Sequence, residues 1–135
     1  MKQQDLNQEN DFFTAKKIDT VVMLTFKKKR LLPVTDWNTK TPLFDYLHEV
    51  STSDAVKVVV VTDEPGRSPC EEYFEFYDLI MRGEIDKNTL WRMYTAYDQF
   101  IMKIVESNQF FINIGSGEMI SQDFHVALAC DYRMV

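Results

Sequence analysis

Ala127-Leu128-Ala129-Cys130-Asp131-Tyr132-Arg133 carries small and apolar residues out of a short helix and, through an acid, into the start of a strand. The helix is predicted over residues 121–130 and the strand over 131–135. Working backwards, Gly115-Ser116-Gly117 reads as a turn, and Phe110-Phe111-Ile112-Asn113-Ile114 as another strand. Aromatic and β-branched residues suit a pleated sheet, and glycine pairs interrupt it. A strand, a turn, a helix and a strand in that order form a crossover unit, whose strands pair in parallel through a right-handed connection.

Further out the same alternation recurs. Residues 56–62, with Val58 to Val61 at their centre, are apolar without interruption, as in a strand buried in a parallel sheet. Asp63-Glu64-Pro65-Gly66 breaks that strand. Residues 71–81 read as a short helix and 88–106 as a longer one, with Leu90, Tyr94, Tyr97, Ile101 and Ile104 on one stripe. Thr41-Pro42 has the form of a helix start, a capping hydroxyl followed by proline at the first helical position; Leu43, Leu47 and Val50 continue it. Residues 12–18 and 21–26 are strands split by Asp19-Thr20, a hairpin. Residues 1–11 are polar and read as a flexible lead-in to one α/β domain over 12–135. Trp37, Trp91, Tyr94 and Phe100 are expected in the core or at an interface.

Composition narrows the class. With 135 residues, 45% of them hydrophobic and 27% charged, the chain has the size and balance of one globular domain. A net charge of -6 disfavours nucleic acid as a partner, because phosphate binding requires a basic surface. No apolar run approaches the roughly 20 residues of a membrane span, and the first residues lack a secretory pattern. Two lone cysteines, Cys70 and Cys130, fit a reduced, cytoplasmic protein. The two cysteines and two histidines are too scattered for a metal site.

The segment from Ala127 to Arg133 resembles the helix-to-strand passage of the crotonase (enoyl-CoA hydratase/isomerase) superfamily. Phe111 to Gly117 is similar to the family's strand ending in Asn-Gly. Val21 to Phe26 and residues 56–62 resemble its first core strands, and Pro69-Cys70-Glu71-Glu72-Tyr73 falls where the family writes Phe-Cys-Ala-Gly-Ala. These matches run in order over residues 12–135. The resemblance implies a crotonase-like α/β spiral of ββα units, here its N-terminal part. It also implies a coenzyme A thioester as substrate or ligand, no separate cofactor, and two backbone N–H groups aimed at the thioester oxygen. Such an oxyanion hole works by presenting fixed donors to charge that develops only during reaction.

Carried onto this chain, the resemblance makes the amides of Glu71 and Gln122 the donors. Both loops depart from the family's small residues. Glu71 and Glu72 either supply a relocated acid or base, or are ordinary acids complementing the first turn of a helix. Ser121 and Asp123 flank Gln122; their oxygens either leave its turn open to an anion or cap it themselves. His125 stands where many hydratases carry one of two glutamates. With Asp123 nearby it is a candidate acid or base; otherwise it is a surface histidine. The second glutamate has no counterpart within residues 1–135, so two-glutamate hydration is not expected. Lys28, Lys29 and Arg30 are candidates for the coenzyme A phosphates, or else a solvated turn. Asp131 and Arg133 are expected to tie the structure together.

Family members run on for about as long again, so an apparent truncation at the C-terminal end is expected to leave an open sheet edge. A trimer-based homo-oligomer or a partner would cover it. The functional expectation is acyl-CoA handling, with chemistry of the lyase or isomerase class if active. The alternatives are a catalytically silent binding or assembly subunit and a fragment of a longer enzyme.

Overall fold

The computed structural model describes residues 6–27, 37–115, 117, 119–120 and 122–134. Six strands form one sheet in sequential order: β1 (Gln8–Glu9), β2 (Phe13–Ile18), β3 (Val21–Phe26), β4 (Val58–Asp63), β5 (Phe110–Ile114) and β6 (Tyr132–Met134). The first two pairings are antiparallel and the remaining three parallel. Asp19, in the two-residue break between β2 and β3, takes a left-handed φ of 57°, which a short polar side chain tolerates better than a bulky one.

Every parallel step carries helix: α1 (Trp37–Ser51) joins β3 to β4, α2 (Pro69–Met81) and α3 (Lys87–Val105) join β4 to β5, and α4 (Gln122–Ala129) joins β5 to β6. A sheet that grows in one direction through right-handed crossovers receives all its helices on one face. The burial pattern agrees. Phe13, Ala15, Val22, Leu24, Phe26, Val59, Val61 and Phe111 point into a core shared with all four helices. Phe26 sits at its centre, with ring centroids 5.5 Å from Phe12 and 5.8 Å from Phe100. On the opposite face Val60 is the buried strand residue among those described, while Ile18, Phe110, Ile114, Tyr132 and Met134 are exposed. This is the sheet and helix order of the expected crotonase-like spiral.

Several elements differ from the sequence reading. Residues 6–11 do not form a loose lead-in: Leu6 is buried, its carbonyl accepts a 2.9 Å hydrogen bond from the Tyr46 hydroxyl, and Gln8–Glu9 pair with β2. Burial pushes the Tyr46 hydroxyl well above the usual tyrosine range, so it stays protonated and donates. Helix α1 begins at Trp37, not at Thr41, and carries Pro42 inside it. Proline cannot donate to the carbonyl four residues back, so the Thr-Pro signature marks a weak point in the helix and not its first turn. The buried stripe of α3 is Met93, Ala96, Tyr97, Phe100 and Ile104; Trp91 and Tyr94 are exposed. The side chain of Trp37 lies outside the described residues.

Helix α2 starts two residues before the expected position, with Ser68 as N-cap and Pro69 in its first turn. It ends in a Schellman motif: the Gly83 amide donates to Ile80 at 3.0 Å and the Glu84 amide to Leu79 at 2.9 Å. Gly83 there has a φ of 74°, which favours glycine.

Candidate functional site

The break after β4 is a tight turn. The Arg67 amide donates to the Glu64 carbonyl at 3.2 Å, with Pro65 and Gly66 between them and Gly66 at a φ of 87°. Proline followed by a residue of positive φ is the pattern of a type II turn, which requires glycine at that position. The turn delivers Arg67 into the interior, where its side chain is 1% exposed.

Three carboxylates meet it there. Asp63, at the end of β4, lies 3.3 Å from one terminal nitrogen of the guanidinium. The other terminal nitrogen lies 3.2 and 3.3 Å from the two oxygens of Asp123, and 3.8 Å from Glu72. Glu72 belongs to the first turn of α2 and Asp123 to the first turn of α4. Two helix N-termini 51 positions apart in sequence therefore converge on one guanidinium. Its rigid fork of donors is suited to hold carboxylates from different directions, which a lysine ammonium on a flexible stem is not. A desolvated cation is retained only where opposite charge and hydrogen bonds replace its water.

Of the residues expected from sequence, Glu72 and Asp123 belong to this cluster. The Glu71 amide donates to the Ser68 hydroxyl oxygen at 3.3 Å, and the Glu72 amide to the Ser68 carbonyl at 3.2 Å. The first turn of α2 is thus capped from within. Glu71 itself is exposed, whereas Glu72 is buried against Arg67. Gln122 is the first residue of α4. Asp123 is buried, its amide donating to the Ile120 carbonyl at 3.1 Å. His125 is exposed on α4. Residues two apart on a helix do not face each other, so the carboxylate of Asp123 turns inward to Arg67 while the imidazole points out. Lys28, Lys29, Arg30 and Ser121 lie outside the described residues.

Asp131 ties the connection after α4 to β5, and Arg133 ties β6 to α4. The Phe111 amide donates to Asp131 Oδ2 at 2.8 Å, the Asp131 amide returns a 2.8 Å bond to the Phe111 carbonyl, and Arg133 reaches the Ala127 carbonyl at 3.4 Å. Cys70 is partly buried and Cys130 buried, and neither forms a disulfide. Among the described residues no group of three or more His, Cys, Asp or Glu side chains is arranged to hold a metal ion. No described helix is long and apolar enough to cross a membrane.

Sequence reasoning missed Arg67. Asp123 comes from a distant segment, and Glu72, five positions on, belongs to the helix that begins after the turn, so no periodic pattern reports the contacts. The available signal was Asp63 and Arg67 at four-residue spacing around Pro-Gly, an acid and a base on either side of a turn that must bend sharply.

Neither a protein-family model nor a curated protein sequence matches the chain. Solved structures do. The chain is similar to an enoyl-CoA hydratase from Bacillus anthracis (14% identity, TM-score 0.65, covering 90% of this chain and 46% of that one). It is similar to Pseudomonas aeruginosa DspI (18%, TM-score 0.69, 93% and 49%). It is also similar to a probable enoyl-CoA hydratase/isomerase from Mycobacterium abscessus (22%, TM-score 0.63, 91% and 45%). The fold is that of the N-terminal half of the enoyl-CoA hydratase/isomerase, or crotonase, architecture. The chain spans about half the length of the structures it matches.

Proposed function

We propose that this chain handles an acyl-CoA thioester, with the thioester carbonyl received between the first turns of α2 and α4. The supporting observation is the convergence of those two turns on Arg67. Helix N-termini present unsatisfied N–H groups and a positive dipole end to an incoming oxygen. On this reading the amides of Glu71 and Gln122 are the donors. His125, exposed on α4, is the candidate acid or base, with Asp123 engaged at Arg67. Lys28, Lys29 and Arg30 are assigned the coenzyme A phosphates. Calorimetric titration with an acyl-CoA tests this. Saturable binding that weakens when those three residues are made neutral is the expected result; absence of heat at millimolar ligand overturns it.

A second reading is favoured by one observation. Ser68 already accepts the hydrogen of the Glu71 amide, so one of the two donors is satisfied within the protein. A chain that kept the fold and sealed the hole would be a binding or assembly subunit without turnover. Release of product from enoyl-CoA that falls when His125 is changed to alanine dismisses this second reading. Binding without turnover supports it.

A further inference from the structure

We propose that Arg67 is a positioning residue that interlocks the two turns, setting the separation of the Glu71 and Gln122 amides through its contacts with Glu72 and Asp123. The proposal rests on the thioester reading for its purpose, but the coupling itself is a property of the fold and is measurable without ligand.

The geometry carries it in three steps. The guanidinium is anchored to the sheet: the Pro65-Gly66 turn fixes its backbone, and Asp63, the last residue of β4, holds one terminal nitrogen at 3.3 Å. The opposite terminal nitrogen is then presented as a fixed point to both helices, with Asp123 on both of its oxygens at 3.2 and 3.3 Å and Glu72 at 3.8 Å. Finally, each carboxylate belongs to the residue that follows the amide it is proposed to position. Glu72 follows Glu71 directly in α2, and Asp123 follows Gln122 directly in α4. Because both side chains are buried against Arg67, a shift of either first turn relative to the guanidinium disturbs its contact. The side chains of Arg67, Glu72 and Asp123 are 1%, 2% and 6% exposed, so water cannot easily substitute for a lost partner and the pairs are screened little by salt.

Asp123→Asn, nearly the same shape without the charge, is the primary test, with Arg67→Lys as a second variant that keeps the charge and loses the fork. In the free protein, amide hydrogen exchange at Glu71 and Glu72 is expected to accelerate about tenfold in Asp123→Asn, although the substitution lies on α4, while Leu90 in α3 is unchanged. Acceleration confined to α4 overturns the interlock. A ligand arm compares an acyl-CoA with the S-alkyl-CoA thioether that lacks the carbonyl. The wild type is expected to prefer the thioester, and both variants to lose that preference while still binding the thioether. Equal weakening of both ligands is the signature of a merely structural role and contradicts the proposal. If the wild type binds neither ligand, the thioester reading fails, and the exchange experiment still decides the interlock.

Discussion

The first turns of α2 and α4 approach the same guanidinium, yet they treat their own backbone differently. In α2 the hydroxyl of Ser68 turns back onto the Glu71 amide, and the acid that follows, Glu72, reaches Arg67 at the longer distance of 3.8 Å. In α4 the acid of the first turn makes the close contact, both oxygens of Asp123 lying within 3.3 Å of the same nitrogen. One turn draws its order from a local cap and the other from a long-range ion pair. A local cap contributes little to tertiary structure, whereas a buried pair makes the placement of one segment depend on another.

Removing the shared partner is the most damaging way to test that contrast. Arg67→Ala leaves three inward-facing carboxylates around a vacated site, and the expected loss is about 3–5 kcal/mol, measured by urea denaturation. A loss below about 1 kcal/mol would show the cluster to be solvated and the contrast false. Ser68→Ala removes only the local cap; the expected cost is about 0.5–2 kcal/mol. Because it also frees the Glu71 amide, acyl-CoA binding should tighten in that variant. Weakened binding would mean that the cap organises the turn for ligand instead of blocking it.

His125→Ala should leave stability within about 0.5 kcal/mol, since the side chain is exposed and away from the cluster. Any turnover of an enoyl-CoA should fall. Unchanged turnover removes the histidine from the chemistry. The smallest effect lies at a third helix start, that of α3. Asp86 there accepts the Thr89 amide at 2.7 Å, and its hydrogen bonds to Thr89, helped by Arg92, hold its carboxyl below the usual aspartate range. A depressed pKa stabilises the fold above the unfolded-state value, and the contribution is lost as pH falls through the lower folded value. The protection factor of the Thr89 amide, its exchange rate relative to the intrinsic rate at each pH, should therefore fall on acidification through that window in the wild type. In Asp86→Ala it should show no such step.

Much of the sheet was legible because its strands are locally distinctive. Residues 21–26, 58–63 and 110–114 are dominated by β-branched, aromatic and large apolar side chains, and their alternation with helices set the parallel pairing. The failures have physical causes. Thr41-Pro42 imitates a helix start, but the chain continues helical four residues earlier. Helix α3 has apolar residues on more than one side, so a stripe through Leu90, Tyr94 and Ile101 was as periodic as the true one. Burial instead follows Met93, Ala96 and Phe100, leaving the Tyr94 ring and hydroxyl exposed. The two turns proposed as donors were singled out only through resemblance. The residue that joins them was not legible, since the Arg67–Asp123 contact spans 56 positions and leaves no periodic trace.

A thioester site here requires the two turns to face one ligand. Isotope-labelled amide spectra recorded while an acyl-CoA is added to the wild-type chain examine it directly. The resonances of Glu71 and Gln122 should shift together, with one common half-saturation point. If one of them moves without the other, or neither moves while the ligand binds elsewhere, the two turns do not form a thioester site.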